Sequence, residues 1–136
     1  MSSASVVALS ILVADDEESI RNLLVAWLQQ LGHMVESAGN AQEAIRYLDE
    51  QHFDLVITDV VMPDGDGFEL IAAFRKAQPF TRILAISGGG NFLEGADCLK
   101  IARGLGAHGA LMKPFNWDQL EAAMDRALLS GEPTTA

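Results

Sequence analysis

The chain has 136 residues, enough for one domain with its own core and little more. With 19 Asp and Glu against 9 Lys and Arg its net charge is −10, which argues against unaided binding to DNA or to an anionic membrane. Nearly half of the residues are hydrophobic, a globular composition, and the single cysteine, Cys98, excludes an internal disulfide and suits a reducing compartment such as the cytoplasm.

Residues 1–8 read as an N-terminal arm. The apolar stretch from Val6 to Ala14 imitates the core of a secretion signal, but no basic segment precedes it and four acids follow at once, so a buried strand is the better reading. No apolar run reaches the roughly 18 residues that a membrane helix requires. Ile11-Leu12-Val13-Ala14 is a continuous apolar run of the kind covered on both faces of a sheet. Ile20, Leu23, Leu24, Trp27, Leu28 and Leu31 then recur every three or four positions, predicting a helix closed by Gly32. Residues 33–37 alternate polar and apolar as an edge strand. Asn40 with Glu43 forms a capping box for a second helix, with Ala41, Ala44, Ile45 and Leu48 on its apolar face.

Leu55-Val56-Ile57 predicts a third strand ending at Thr58-Asp59, followed by a loop rich in Pro, Gly and Asp and a helix over residues 68–76. Residues 83–86 form a fourth strand, ending at Ser87 and three glycines. Cys98, Ile101, Ala102 and Leu105 mark the next helix, and Ala110-Leu111-Met112 a short fifth strand ending at Lys113-Pro114. Asn116 with Gln119 is a second capping box, opening a helix that carries Leu120, Ala123, Met124, Ala127 and Leu128. Residues 130–136 read as a polar tail. Strands alternating with helices through short loops predict an α/β domain over residues 9–129: a doubly wound, five-stranded parallel sheet with five helices on its two faces.

Ligands of such sheets bind at the carboxyl ends of the strands, where the strand order reverses. Asp15-Asp16 follow the first strand, Asp59 ends the third, Ser87 the fourth, and Lys113 the fifth. In a sheet ordered 2-1-3-4-5 these four strands are contiguous, so the polar residues converge on one rim. Three carboxylates in one crevice repel one another unless a cation neutralises them, and hard oxygen donors without nearby histidine or a second cysteine point to Mg2+ rather than zinc. A carboxylate can attack phosphorus to give an acyl phosphate, while a lysine, a hydroxyl and the metal draw charge from the transferring oxygens. Singly, Asp15 and Asp16 also read as loop or N-cap acids and Asp59 as turn chemistry. Together, at adjacent strand ends, they read as a phosphoryl-accepting site.

The stretches ILVADDEESIRNLL (11–24), DLVITDVVMPDGDGFEL (54–70), ILAISGG (83–89) and GALMKPF (109–115), in this order, resemble the receiver domain of two-component response regulators, the flavodoxin-like family that includes the single-domain chemotaxis regulator. The resemblance implies a signalling switch in a phosphorelay, not an enzyme acting on other molecules. Asp59 is implied to accept a phosphoryl group from a histidine kinase or phosphotransfer protein. Mg2+ would be held by Asp15, Asp16, Asp59 and the backbone carbonyl of Val61. Ser87 is implied as the switch hydroxyl and Lys113 as the phosphoryl partner, and a cis peptide is implied at Lys113-Pro114. The conformational change would then control a downstream protein target, with no output domain in this chain and no direct contact with nucleic acid or membrane.

Three positions depart from the family pattern. Ala110 stands where an aromatic residue is usual, three before the lysine, so a coupled swing of hydroxyl and ring cannot operate unchanged; Phe92 and Phe115 are the candidate substitutes. Ser87 opens a glycine-rich loop. Val61 and Gly89 replace polar side chains that influence hydrolysis of the acyl phosphate, which implies a persistent phosphorylated state. Two rivals in related folds fare worse. An aspartate-nucleophile phosphohydrolase needs a second acid where Val61 stands, and a flavodoxin-like cofactor binder needs a phosphate-cradling loop where Asp15 and Asp16 stand. A degenerate receiver serving only as an interaction module is disfavoured by the complete set Asp15, Asp16, Asp59, Ser87 and Lys113.

Overall fold

The computed structural model describes residues 8–62, 67–88 and 95–129. The chain runs β1 (Ser10–Ala14), α1 (Glu18–Gln30), β2 (Met34–Ala38), α2 (Ala41–Glu50), β3 (Leu55–Asp59), α3 (Gly67–Ala77), β4 (Arg82–Ser87), α4 (Gly95–Gly104), β5 (Gly109–Met112) and α5 (Trp117–Leu129). All strand pairs are parallel, in the order β2-β1-β3-β4-β5, as the alternation of elements predicts. Among the described residues no helix is long and apolar enough to cross a membrane.

The continuous apolar strands follow from burial on both sides. In β1, Ile11 and Val13 pack against α1 and α5, whereas Leu12 and Ala14 face α2, α3 and α4; in β3 and β4 the same alternation sends Leu55, Ile57, Leu84 and Ile86 to the first face and Val56, Ile83 and Ala85 to the second. One sheet therefore holds two cores. Its carboxyl edge, where β1 passes outward to β2 and β3 lies on β1's other flank, is left open to carry polar groups.

Local chemistry fixes the helix ends. Gly32 takes φ +93°, and the amides of Gly32 and His33 donate to the carbonyls of Gln29 and Leu28, closing α1 with the double bond that a left-handed residue permits. The Asn40 side chain accepts from the Glu43 amide, and Glu43 in turn accepts from Gly39, one residue earlier than the simple capping box. The Asn116–Gln119 box is fully reciprocal, at 2.9 and 2.8 Å.

Two local expectations shift. The edge strand begins at Met34 rather than at residue 33, because the His33 amide is spent on the α1 cap and its Nδ1 accepts from the Leu9 amide at 3.0 Å. Trp117, expected at the surface, is half-buried and meets Trp27 edge-to-face, with ring centroids 5.4 Å apart. The expectations for Gly89, Phe92 and the Cys98 side chain, and for the tail, lie outside the described residues.

Candidate functional site

Asp15 is the first residue after β1, and Asp59 the last of β3; the register pairs Ala14 with Thr58, so the two acids emerge side by side at the carboxyl edge. Both are buried, Asp15 to 1% exposure and Asp59 to 5%, whereas Asp16 is exposed. One carboxylate oxygen from each of Asp15, Asp16 and Asp59 lies within 4.8 Å of the others. Ser87, fully buried, ends β4 opposite Met112, and its carbonyl accepts from the Lys113 amide at 2.9 Å. Val61 lies two residues beyond Asp59 at the solvent rim, and its amide donates to Asp59 Oδ1 at 2.9 Å. The edge of the sheet thus gathers all six residues expected from the sequence onto one rim.

Lys113 is the centre of charge. Its Nζ lies 2.9 Å from Asp59 Oδ2, 2.9 Å from Glu17 Oε1 and 3.0 Å from Asp15 Oδ2. Burial alone would lower the ammonium's pKa, but hydrogen bonds to Asp59 and Glu17 outweigh it and hold the group well above the ordinary lysine range. The peptide from Lys113 to Pro114 is cis. Arg21 fastens the start of α1 to the same edge, donating to the Asp15 carbonyl at 2.8 Å.

Glu17 is the site residue that strand-end reasoning missed. It stands at the N-cap of α1 without a side-chain cap bond, and it is the Asp15 carboxylate that accepts the Glu17 amide, at 2.9 Å. Asp15 therefore orders the loop and faces the crevice at the same time. The signal in the sequence was only a third acid in the run Asp15-Asp16-Glu17. Ala110, partly buried, packs on the core beneath α2–α4 and pairs with Ala85, so two methyl groups occupy adjacent positions there. Phe115 packs instead on the α1–α5 face.

The response regulator receiver domain profile matches residues 11–125. The chain belongs to the response regulator receiver domain family. It is 40% identical over 129 residues to the DNA-binding transcriptional regulator NtrC of Azospirillum brasilense, covering 95% of this chain and 26% of that protein. The chain therefore spans about a quarter of the length of this curated relative. Among solved structures, chemotaxis response regulator CheY4 of Vibrio cholerae superposes with a TM-score of 0.79 at 33% identity, covering 90% of this chain and all of that one. The beryllofluoride-activated NtrC4 receiver domain dimer gives 0.76 at 33% identity, with 88% and 95% covered.

A receiver's Mg2+ fits the residues present. The donors are hard oxygens from three carboxylates within reach of one ion. Asp15 Oδ2 is buried and accepts no well-aligned hydrogen bond, although Lys113 Nζ lies 3.0 Å away, so a cation would satisfy it. Burial raises the Asp15 pKa above its ordinary value, against the lowering effect of the Glu17 amide and Lys113. The folded chain then holds the Asp15 proton more readily than the unfolded chain, so this group's contribution to stability falls as pH rises from about 4 through the raised pKa. Without metal, burial works against the charged form of this carboxylate. We expect Asp15→Asn to raise the melting temperature in EDTA by a few degrees and to blunt the stabilisation expected on adding Mg2+. Thermal denaturation with and without Mg2+ checks both; a lower melting temperature in EDTA would contradict the sign.

Proposed function

We propose that residues 9–129 work as a phosphorylation-dependent switch in a two-component phosphorelay, with Asp59 accepting a phosphoryl group from the phosphohistidine of a kinase or phosphotransfer protein. One Asp59 oxygen forms a bond to phosphorus as the phosphorus–nitrogen bond of the donor breaks, and the imidazole leaves with the bonding pair. The observation that carries this reading is Lys113 Nζ, 2.9 Å from Asp59 Oδ2 at the mouth of a crevice of acids. Asp15, Asp16, Asp59 and the Val61 carbonyl would hold Mg2+. Bound there, the ion would neutralise charge on the transferring oxygens. Lys113 meets the same charge from the end of β5, Ser87 supplies a hydroxyl at the end of β4, and the Val61 amide fixes the rotamer of the acceptor.

The acyl phosphate places close to two negative charges on the rim, and the groups that answer it follow β4 and β5. A population shift in those strand ends and in α4 and α5 would alter the face offered to a downstream protein. In this reading the chain accepts its own phosphoryl group and loses it slowly; it turns over no other substrate. A cytoplasmic setting fits the single cysteine. The NtrC relatives are described as DNA-binding, but the net charge of −10 argues against this segment touching DNA itself.

Incubation with acetyl phosphate, followed by intact mass, tests the reading. A single phosphoryl adduct is expected with Mg2+ and none in EDTA; no adduct under either condition overturns it. The adduct is expected to persist for minutes or longer. Val61, 43% exposed at the rim, offers an aliphatic side chain that cannot orient a water for attack on phosphorus. A half-life of seconds after removal of the donor, followed by mass, contradicts that expectation.

A further inference from the structure

Glu17 is paired with Lys113, yet none of the roles above employs it. Its side chain is 58% exposed, it makes no cap bond to α1, and its carboxylate reaches 2.9 Å from the amine of a residue 96 positions away. The Lys113 ammonium has three protons; it donates to Asp59 and to Glu17, and Asp15 Oδ2 lies 3.0 Å away without a well-aligned bond. A phosphoryl group entering beside Asp59 needs one of those donors. Asp15 cannot move aside readily, because its carboxylate is buried and tied to the Glu17 amide. Asp59 is the acceptor itself. Glu17 alone can turn away into water, which hydrates a released carboxylate at little cost. A cavity of about 340 Å3, lined by Glu17, Ile20, Gly88, Lys113 and Phe115, lies alongside and gives the side chain room to turn.

We infer that Glu17 is a placeholder anion: it occupies Lys113 until a phosphoryl group takes its place, and thereby sets how readily the site accepts an anion and how tightly it holds a cation. The inference rests on Asp59 as acceptor and Lys113 as its partner. It makes a demand that a merely structural role would not. Neutralising Glu17 removes one negative charge from the crevice, so cation and anion affinities must move in opposite directions.

The test uses the full chain and its Glu17→Gln variant. Calorimetric titration with Mg2+ alone gives the cation affinity, and titration with beryllium fluoride at saturating Mg2+, followed by fluorine NMR, gives the affinity for a phosphoryl mimic. We expect Mg2+ to bind about three- to tenfold more weakly to the variant and beryllofluoride about three- to tenfold more tightly, both differences shrinking as salt is raised. Glu17→Asp, which keeps the charge, should hold Mg2+ within about twofold of the wild type. If both affinities weaken in Glu17→Gln, or neither changes, the placeholder role is overturned while the acceptor assignment stands. If the wild type itself fails to bind beryllofluoride, the acceptor assignment falls and takes this inference with it.

Discussion

Replacing Asp59 by Asn is expected to abolish the phosphoryl adduct completely while leaving the fold in place. The carboxamide is nearly isosteric with the carboxylate, and its oxygen can still accept the Val61 amide that now donates to Oδ1 at 2.9 Å. Lys113 retains Asp15 and Glu17 as partners, so its ammonium is not stranded. What disappears is the nucleophile, because a neutral amide oxygen does not form an acyl phosphate under these conditions. Intact mass after acetyl phosphate and Mg2+ decides the matter. An adduct at the wild-type level in the variant would move the acceptor elsewhere, with Asp15 and Asp16 the nearest alternatives within 4.8 Å.

The second large effect is expected from Gly67→Ala. Gly67 is buried at the first position of α3, and its amide donates to the Val60 carbonyl at 3.2 Å. A β-carbon built there would overlap the Asp59 carbonyl oxygen and stand 2.6 Å from the Val60 Cα. Both obstacles are backbone, so no side-chain rotation relieves them; either α3 or the acceptor strand end must move. Overpacking of this kind costs about 3 kcal/mol or more, corresponding to a fall of about 10 °C in melting temperature for a domain of this size. Phosphoryl acceptance should fall with it, because the displaced atoms belong to the acceptor. Gly88→Ala is the matched comparison: its β-carbon would meet only the aliphatic stem of Lys113, at 3.4 Å or more, and should cost little. Urea denaturation of the two variants checks the contrast, and a loss below about 1 kcal/mol for Gly67→Ala would contradict the clash.

The parts of the fold that the sequence made legible are those governed by short-range periodicity. Apolar runs such as Ile11–Ala14 read as two-sided strands because both faces are covered, and the recurrence of Leu24 and Leu28 read as a helix because one face is. Asp15, Asp16, Asp59, Val61, Ser87 and Lys113 were legible as one rim because parallel strands align their carboxyl ends, so the position at a strand end fixes a place in space. The three-way pairing at Lys113 was not legible. It joins Lys113 to acids 54 and 96 positions away, among others, through side-chain conformations, and neither spacing nor propensity encodes those. The contact of Trp27 with Trp117 escaped for the same reason: a tryptophan next to a cap reads as exposed until the opposing helix is known to present another. The start of β2 moved because the His33 amide had already been claimed by the preceding helix.

The meeting of those two indoles has a practical consequence. The chain contains only two tryptophans, and both lie on the α1–α5 side of the sheet, with Trp117 opening the helix that follows the loop from Lys113. Tryptophan emission from this protein is therefore a one-sided optical gauge. It registers rearrangement around α1 and the entry to α5, whereas events confined to α2, α3 and α4 leave it dark. Tyr47 on α2, the chain's single tyrosine, packs edge-to-face on Phe53 of the opposite core, so tyrosine and tryptophan signals report the two sides of the sheet separately.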